Sequence, residues 1–151
     1  MRAAVRIAAL ALVAVTAGAP PVAGLSLATT WLCFFDTGSA ELPPRYQATI
    51  VEFADFWRRM RRGEVRGWPD EAPLRAHTMR VEVQGHADAA EAAAGKAASV
   101  SKARAEAVAA SLRLNGLPTD VITVVAFSAE RPLVVASGAE PQNRRAEIIA
   151  R

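Results

Sequence analysis

From Met79 to Gly85 the chain reads MRVEVQG, with Met79, Val81 and Val83 apolar and Arg80, Glu82 and Gln84 polar. Side chains on a strand point to opposite faces in turn, so strict alternation predicts a β-strand with one face in a core and the other in a polar setting. A chain organised around such a strand must bring an apolar layer to one side of a sheet. The segment after Pro43-Pro44 supplies part of it: Tyr46, Ile50, Phe53, Trp57 and Met60 recur at spacings of 4, 3, 4 and 3. That spacing lines one face of a helix, and proline is tolerated at a helix start.

The remaining elements follow from the same two periods. Trp31 to Phe35 (WLCFF) is a short apolar run closed by Asp36-Thr37-Gly38-Ser39, which suits a buried strand and a turn. Ala92 to Leu114 is alanine-rich and helical, with Val100, Ala103, Ala107, Ala110 and Leu114 expected on the buried face and Lys102, Glu106 and Arg113 on the other. Asn115-Gly116-Leu117-Pro118 is a helix stop. Val121 to Phe127 (VITVVAF) is β-branched, and Ala146 to Ala150 (AEIIA) alternates as a terminal strand. The order β-α-β-α-β-β predicts an α+β two-layer sandwich, with helices packed on one face of a mixed sheet.

The first charged residues after Arg2 and Arg6 come only at Asp36. Ile7 to Val15 (IAALALVAV) is a compact apolar run behind two arginines, followed by Pro20-Pro21 and small residues up to Ala28. This is the layout of an export signal peptide, with cleavage expected after Ser26-Leu27-Ala28, and it assigns 1–28 to a leader and 29–151 to one domain. An uncleaved anchor is the competing reading, broken by Gly18, Pro20 and Pro21. Lipidation at Cys33 is a third, disfavoured by the bulky Trp31 and Leu32 before it. The whole chain carries a net charge of +3, and without Arg2 and Arg6 the excess falls to +1. So small an excess does not point to nucleic acid. A lone cysteine excludes a disulfide scaffold, and 52% hydrophobic composition excludes a disordered chain.

Arg58, Arg59, Arg61 and Arg62 crowd the end of the first helix, and a loop rich in Gly and Pro follows from Glu64 to Thr78. Cations at a helix C-terminus complement its dipole. The functional alternative is a grip on anionic lipid or on a protein partner.

Chemistry concentrates at Gly85-His86-Ala87-Asp88, directly after the alternating strand, and at Val100-Ser101-x-x-Arg104-Ala105 on the second helix. With Asn143-Arg144-Arg145 ahead of the last strand, these pieces in this order resemble the OmpA-like C-terminal domain. The family pattern runs G-H-T-D, N-x-x-L-S-x-x-R-A and N-R-R, and the resemblance covers Leu32 to Arg151. It implies an envelope protein of a Gram-negative bacterium, periplasmic or outer-membrane associated, that binds the peptide stems of peptidoglycan and so tethers the envelope to the wall. By resemblance Asp88 and Arg104 hold a diaminopimelate residue, Asn143 shapes the site and Arg145 borders it. The free end of diaminopimelate is an ammonium and a carboxylate on one carbon, so one acceptor and one bidentate donor suit it. The chain departs from the pattern at Ala87 for Thr, at Ala97 for Asn, at Ala126 for a turn glycine, and in a longer segment between Asp88 and Arg104.

Each of these residues also has a purely architectural reading. Asp88-x-x-Glu91 is a capping box that would start a helix, and Arg104 is four residues from both Val100 and Val108, at the edge of an apolar face. His86 has no second His or Cys placed to form a metal site. No nucleophile elbow, phosphate loop or Ser/His/Asp order appears, so no enzyme and no cofactor is expected. The alternative function is an OmpA-like scaffold without its ligand, used as an interaction module for a protein or anionic lipid through its arginine-rich helix end.

Overall fold

The alternating segment forms the strand its pattern predicts, and the other elements assemble around it in a computed structural model that describes residues 30–64 and 79–151. The leader assigned to 1–28 and most of the loop after the first helix lie outside the described residues. The strands are β1 (Thr30–Phe34), β2 (Val81–Gly85), β3 (Ile122–Ala126) and β4 (Arg145–Ala150), and the helices are α1 (Gln47–Arg61), α2 (Ala89–Ala93) and α3 (Ala97–Leu114). They form one sheet in the order β1-β4-β2-β3, with β4 antiparallel to both neighbours and β2 parallel to β3. Parallel neighbours need a crossover, and α3 supplies it. The fold is the expected α+β sandwich.

One face of the sheet carries the core. Cys33, Val81, Val83, Ala146 and Ile148 pack with Ile50, Phe53, Trp57 and Met60 of α1 and with Ala105, Val108 and Leu112 of α3. Trp31 lies edge-on to Phe53 with ring centroids 4.8 Å apart. Cys33 is fully enclosed, and burial pushes its thiol up to about 12, so it is unreactive.

The alanine-rich segment differs from its expected form in two ways. It is two helices, because Gly95 takes a left-handed conformation (φ +70°) that ends α2 and turns the chain into α3. The buried face of α3 is also rotated from the expected one. It runs through Val100, Ser101, Arg104, Ala105, Val108, Ala109 and Leu112, whereas Ala110 is exposed and Leu114 is 88% exposed. In a helix this rich in alanine the branched residues decide the face, and Val100, Val108 and Leu112 lie in a row that has Arg104 in its middle. Close approach of this helix to the sheet depends on Gly85, where a Cβ would stand 1.9 Å from the Ser101 carbonyl oxygen.

Candidate functional site

Asp88 follows β2 directly and is the N-cap of α2. Its Oδ1 accepts from the Glu91 N–H at 2.8 Å, and the Glu91 Oε2 accepts from the Asp88 N–H at 3.1 Å, which completes the capping box. Its other oxygen accepts from Arg144 Nη1 at 2.9 Å and from the Glu140 N–H at 3.2 Å. The carboxylate has no exposed surface. The arginine on Asp88 is therefore Arg144.

Arg104 is fully buried, and all five of its N–H donors have an acceptor. Nε donates to the Ser39 carbonyl (2.9 Å), Nη1 to the His86 carbonyl and Glu91 Oε2 (both 2.9 Å), and Nη2 to the Asp36 carbonyl (3.1 Å) and Glu91 Oε1 (2.6 Å). The side chain thus joins three parts of the chain: the turn after β1, the end of β2 and the start of α2. Glu91 touches both members of the pair, so Asp88 and Arg104 belong to one buried cluster of two acids and two arginines.

Burial by itself would raise the Asp88 carboxyl, but the Arg144 hydrogen bond, the Glu91 and Glu140 N–H groups and the Arg144 charge outweigh it and hold it below the ordinary range. Glu91 is likewise raised by burial and lowered more by Arg104, Gly38 and Asp88. Both acids bind protons more weakly in the folded chain than in the unfolded one. Their stabilisation is complete above the usual carboxylate range near pH 4 and is lost as the pH falls through their lowered values.

Asn143 and Arg145 do other work. The Asn143 carbonyl accepts from the N–H groups of Leu133 and Val134, and its amide donates to the Val134 carbonyl, which braces the long β3–β4 connection. Arg145 is the first residue of β4, and strand alternation turns its side chain to the face opposite Ala146 and the core. There it donates to Glu147 (2.7 Å) and to the Arg131 carbonyl (3.2 Å). Arg145 does not border the Asp88–Arg104 cluster, as it was expected to; its predecessor Arg144 does. Ala87 and Ala97, which stand in place of a threonine and an asparagine of the family pattern, form a small apolar cluster with Val100 and Ala129.

His86 lies on the outer face with Arg145 and Glu147. It is 1% exposed, is stacked 5.5 Å from Phe127, and neither ring nitrogen has a hydrogen-bond partner; the nearest acid, Glu147, is 3.6 Å away. Burial, helped by the Arg145 and Arg131 charges and opposed by Glu147, lowers its pKa to about 4. An unfolded histidine titrates near 6.5, so between roughly pH 6.5 and pH 4 the unfolded state takes up the proton first, and stability falls with pH at up to about 1.4 kcal/mol per unit. His86→Phe is expected to flatten this slope while keeping the stack. Urea denaturation at a series of pH values would read it, and an unchanged slope would contradict the assignment.

The arginine-rich end of α1 is engaged with its own chain. Arg58 donates to the Asn115 carbonyl at 2.8 Å, Arg61 lies 5.0 Å over the Trp57 ring, and Arg62 pairs with Glu64 at 2.6 Å. Among the described residues no group of three or more His, Cys, Asp or Glu could hold a metal ion.

A four-stranded mixed sheet with helices on one face, β4 inserted beside β2 and a buried Asp–Arg cluster after β2 define a two-layer α+β domain. The OmpA family model matches residues 72–146, and the chain belongs to the OmpA family. It is 32% identical over 129 residues to an outer membrane protein of Gluconacetobacter diazotrophicus, an alignment covering 81% of this chain and 30% of that protein's length. In structure it is similar to the peptidoglycan-associated lipoprotein from Burkholderia pseudomallei, with a TM-score of 0.61, 22% identity and coverage of 80% and 89% of the two chains. It is also similar to the OmpA-like domain of FopA1 from Francisella tularensis, with a TM-score of 0.62, 20% identity and coverage of 80% and 70%. At these identities the structural likeness is one of fold.

Two residues of the cluster, Glu91 and Arg144, were read from the sequence only as a capping residue and as part of the N-R-R piece of the family pattern. The signal for Glu91 was available in Arg104. An arginine in the middle of the row Val100, Val108 and Leu112 must be buried, and a buried guanidinium needs an acid from its own chain.

Proposed function

We propose that this is a non-catalytic binding module of the cell envelope that docks on the peptide stems of peptidoglycan and recognises their diaminopimelate residue through Asp88 and Arg104. The observation that supports it is the pairing inside the cluster: Asp88 already holds a cation and Arg104 already holds a carboxylate. Those are the two charges on the free end of diaminopimelate. Exchange of like for like leaves a small net gain per stem, and wall binding then depends on the many stems of a continuous polymer. Family membership and the wall association of the Burkholderia relative support the same reading. In this reading residues 1–28 direct export to the periplasm of a Gram-negative bacterium, and the domain tethers the envelope to the wall, with another envelope protein as a second partner. No cofactor is involved.

Co-sedimentation with purified peptidoglycan sacculi tests the proposal. The mature chain is expected in the pellet, and Asp88→Asn, which keeps an N-cap, is expected to move it to the supernatant. Undiminished pelleting of an Asp88→Asn, Arg104→Lys double variant that retains its circular dichroism spectrum would remove both residues from the site.

A further inference from the structure

Taking Asp88 and Arg104 as the recognition pair, as proposed above, raises the question of what an incoming ligand would find there. The Glu91 carboxylate sits in a fully formed seat. Its Oε1 accepts from Arg104 Nη2 (2.6 Å) and from the Gly38 N–H (2.8 Å), and its Oε2 accepts from Arg104 Nη1 (2.9 Å) and the Asp88 N–H (3.1 Å). Four donors from three segments converge on one carboxylate. Gly38 presents its N–H from a left-handed conformation (φ +67°), which glycine adopts without strain. Asp88 meets a guanidinium in the same way, because Arg144 holds Oδ2 at 2.9 Å.

We propose that Glu91 and Arg144 are internal occupants of the two halves of a zwitterion site, so that the resting domain is self-ligated and an external ammonium–carboxylate end binds only by displacing them. The placement of the two side chains fits this role. Glu91 is the only buried residue of α2, a five-residue helix between Asp88 and the left-handed Gly95, and the following residues Ala92 to Lys96 are exposed. Withdrawing Glu91 therefore moves a single surface turn and leaves the sheet in place. Arg144 lines an open groove of about 170 Å³ with Phe34, Phe35, Asp36, Arg45, Pro141 and Gln142, whereas Asp88 does not reach that groove. A cation approaching Asp88 from the groove meets Arg144 first. Glu91 thus sets the threshold for binding: a ligand carboxylate must equal four N–H contacts that an intramolecular rival already makes.

The test is Glu91→Ala in the mature chain. The emptied seat is expected to take a small carboxylate, so that millimolar acetate raises the melting temperature of Glu91→Ala but not of the wild type, while chloride at equal ionic strength does neither. Free diaminopimelate is expected to bind Glu91→Ala at least about tenfold more tightly than the wild type in a calorimetric titration. Equal affinity for the two proteins, or no response of Glu91→Ala to acetate, overturns the self-ligated site. Should Glu91→Ala fail to fold, Glu91→Gln keeps the side-chain volume and removes the charge. Sacculus pelleting separates this inference from the wall-binding reading. If Glu91→Ala takes acetate and diaminopimelate but neither protein pellets, the seat stands and wall binding fails. If the wild type pellets and binds diaminopimelate as well as Glu91→Ala does, wall binding stands and self-ligation fails.

Discussion

Arg104→Met is expected to destabilise the domain by about 4 kcal/mol, because it removes one partner of a buried ion pair and leaves the Glu91 carboxylate among groups that cannot neutralise it. Arg104 is wholly buried and its five N–H groups serve Glu91 and three backbone carbonyls, so those carbonyls lose their donors as well. For a domain of this size that loss lowers the melting temperature by roughly 15–25 °C. Arg104→Met combined with Glu91→Met is expected to be clearly less damaging than the sum of the two single changes, since two apolar side chains can share the space of a buried pair. Urea unfolding of the four proteins in this cycle measures the coupling. Simple additivity would show that Glu91 and Arg104 do not depend on each other.

Gly85→Ala is expected to be nearly as severe, at about 3 kcal/mol or more, the upper end for forcing volume into a packed interior. The added methyl would lie 1.9 Å from the Ser101 carbonyl oxygen, 2.8 Å from its carbon and 3.1 Å from the Ala105 Cβ. The first two atoms are helix backbone and cannot rotate away. Relief requires α3 to move off β2, and that movement would also shift Arg104, which is carried by the same helix. Thermal unfolding should show the loss, and a weakened Arg104 Nε–H signal should accompany it. A melting temperature within a few degrees of the wild type would mean that the helix yields more easily than its packing implies.

Much of this molecule was legible residue by residue. Alternation at Met79 to Gly85 located β2, and the 4-3-4-3 spacing from Tyr46 to Met60 located α1, because both signals depend on neighbours within a turn or two. The Asn115-Gly116 stop and the Asp88–Glu91 capping box were legible for the same reason. The buried face of α3 was not, since alanine contributes little contrast and the few branched residues had to be weighed against an arginine in their midst. Sheet order was hidden as well: nothing local tells the last strand to enter between β1 and β2.

The site divides along the same line. Sequence by itself determined the sheet-and-helix framework, the family pattern, and that an aspartate follows β2 while an arginine rides on the next helix. Only the tertiary structure decided whom those charges face. Arg104 meets carbonyls 65 and 68 residues away and an acid 13 residues away, and Asp88 meets an arginine 56 residues away. The physical reason is that a buried charge takes the nearest opposite charge that folding brings to it, which is set by packing over the whole chain and leaves no period in the sequence.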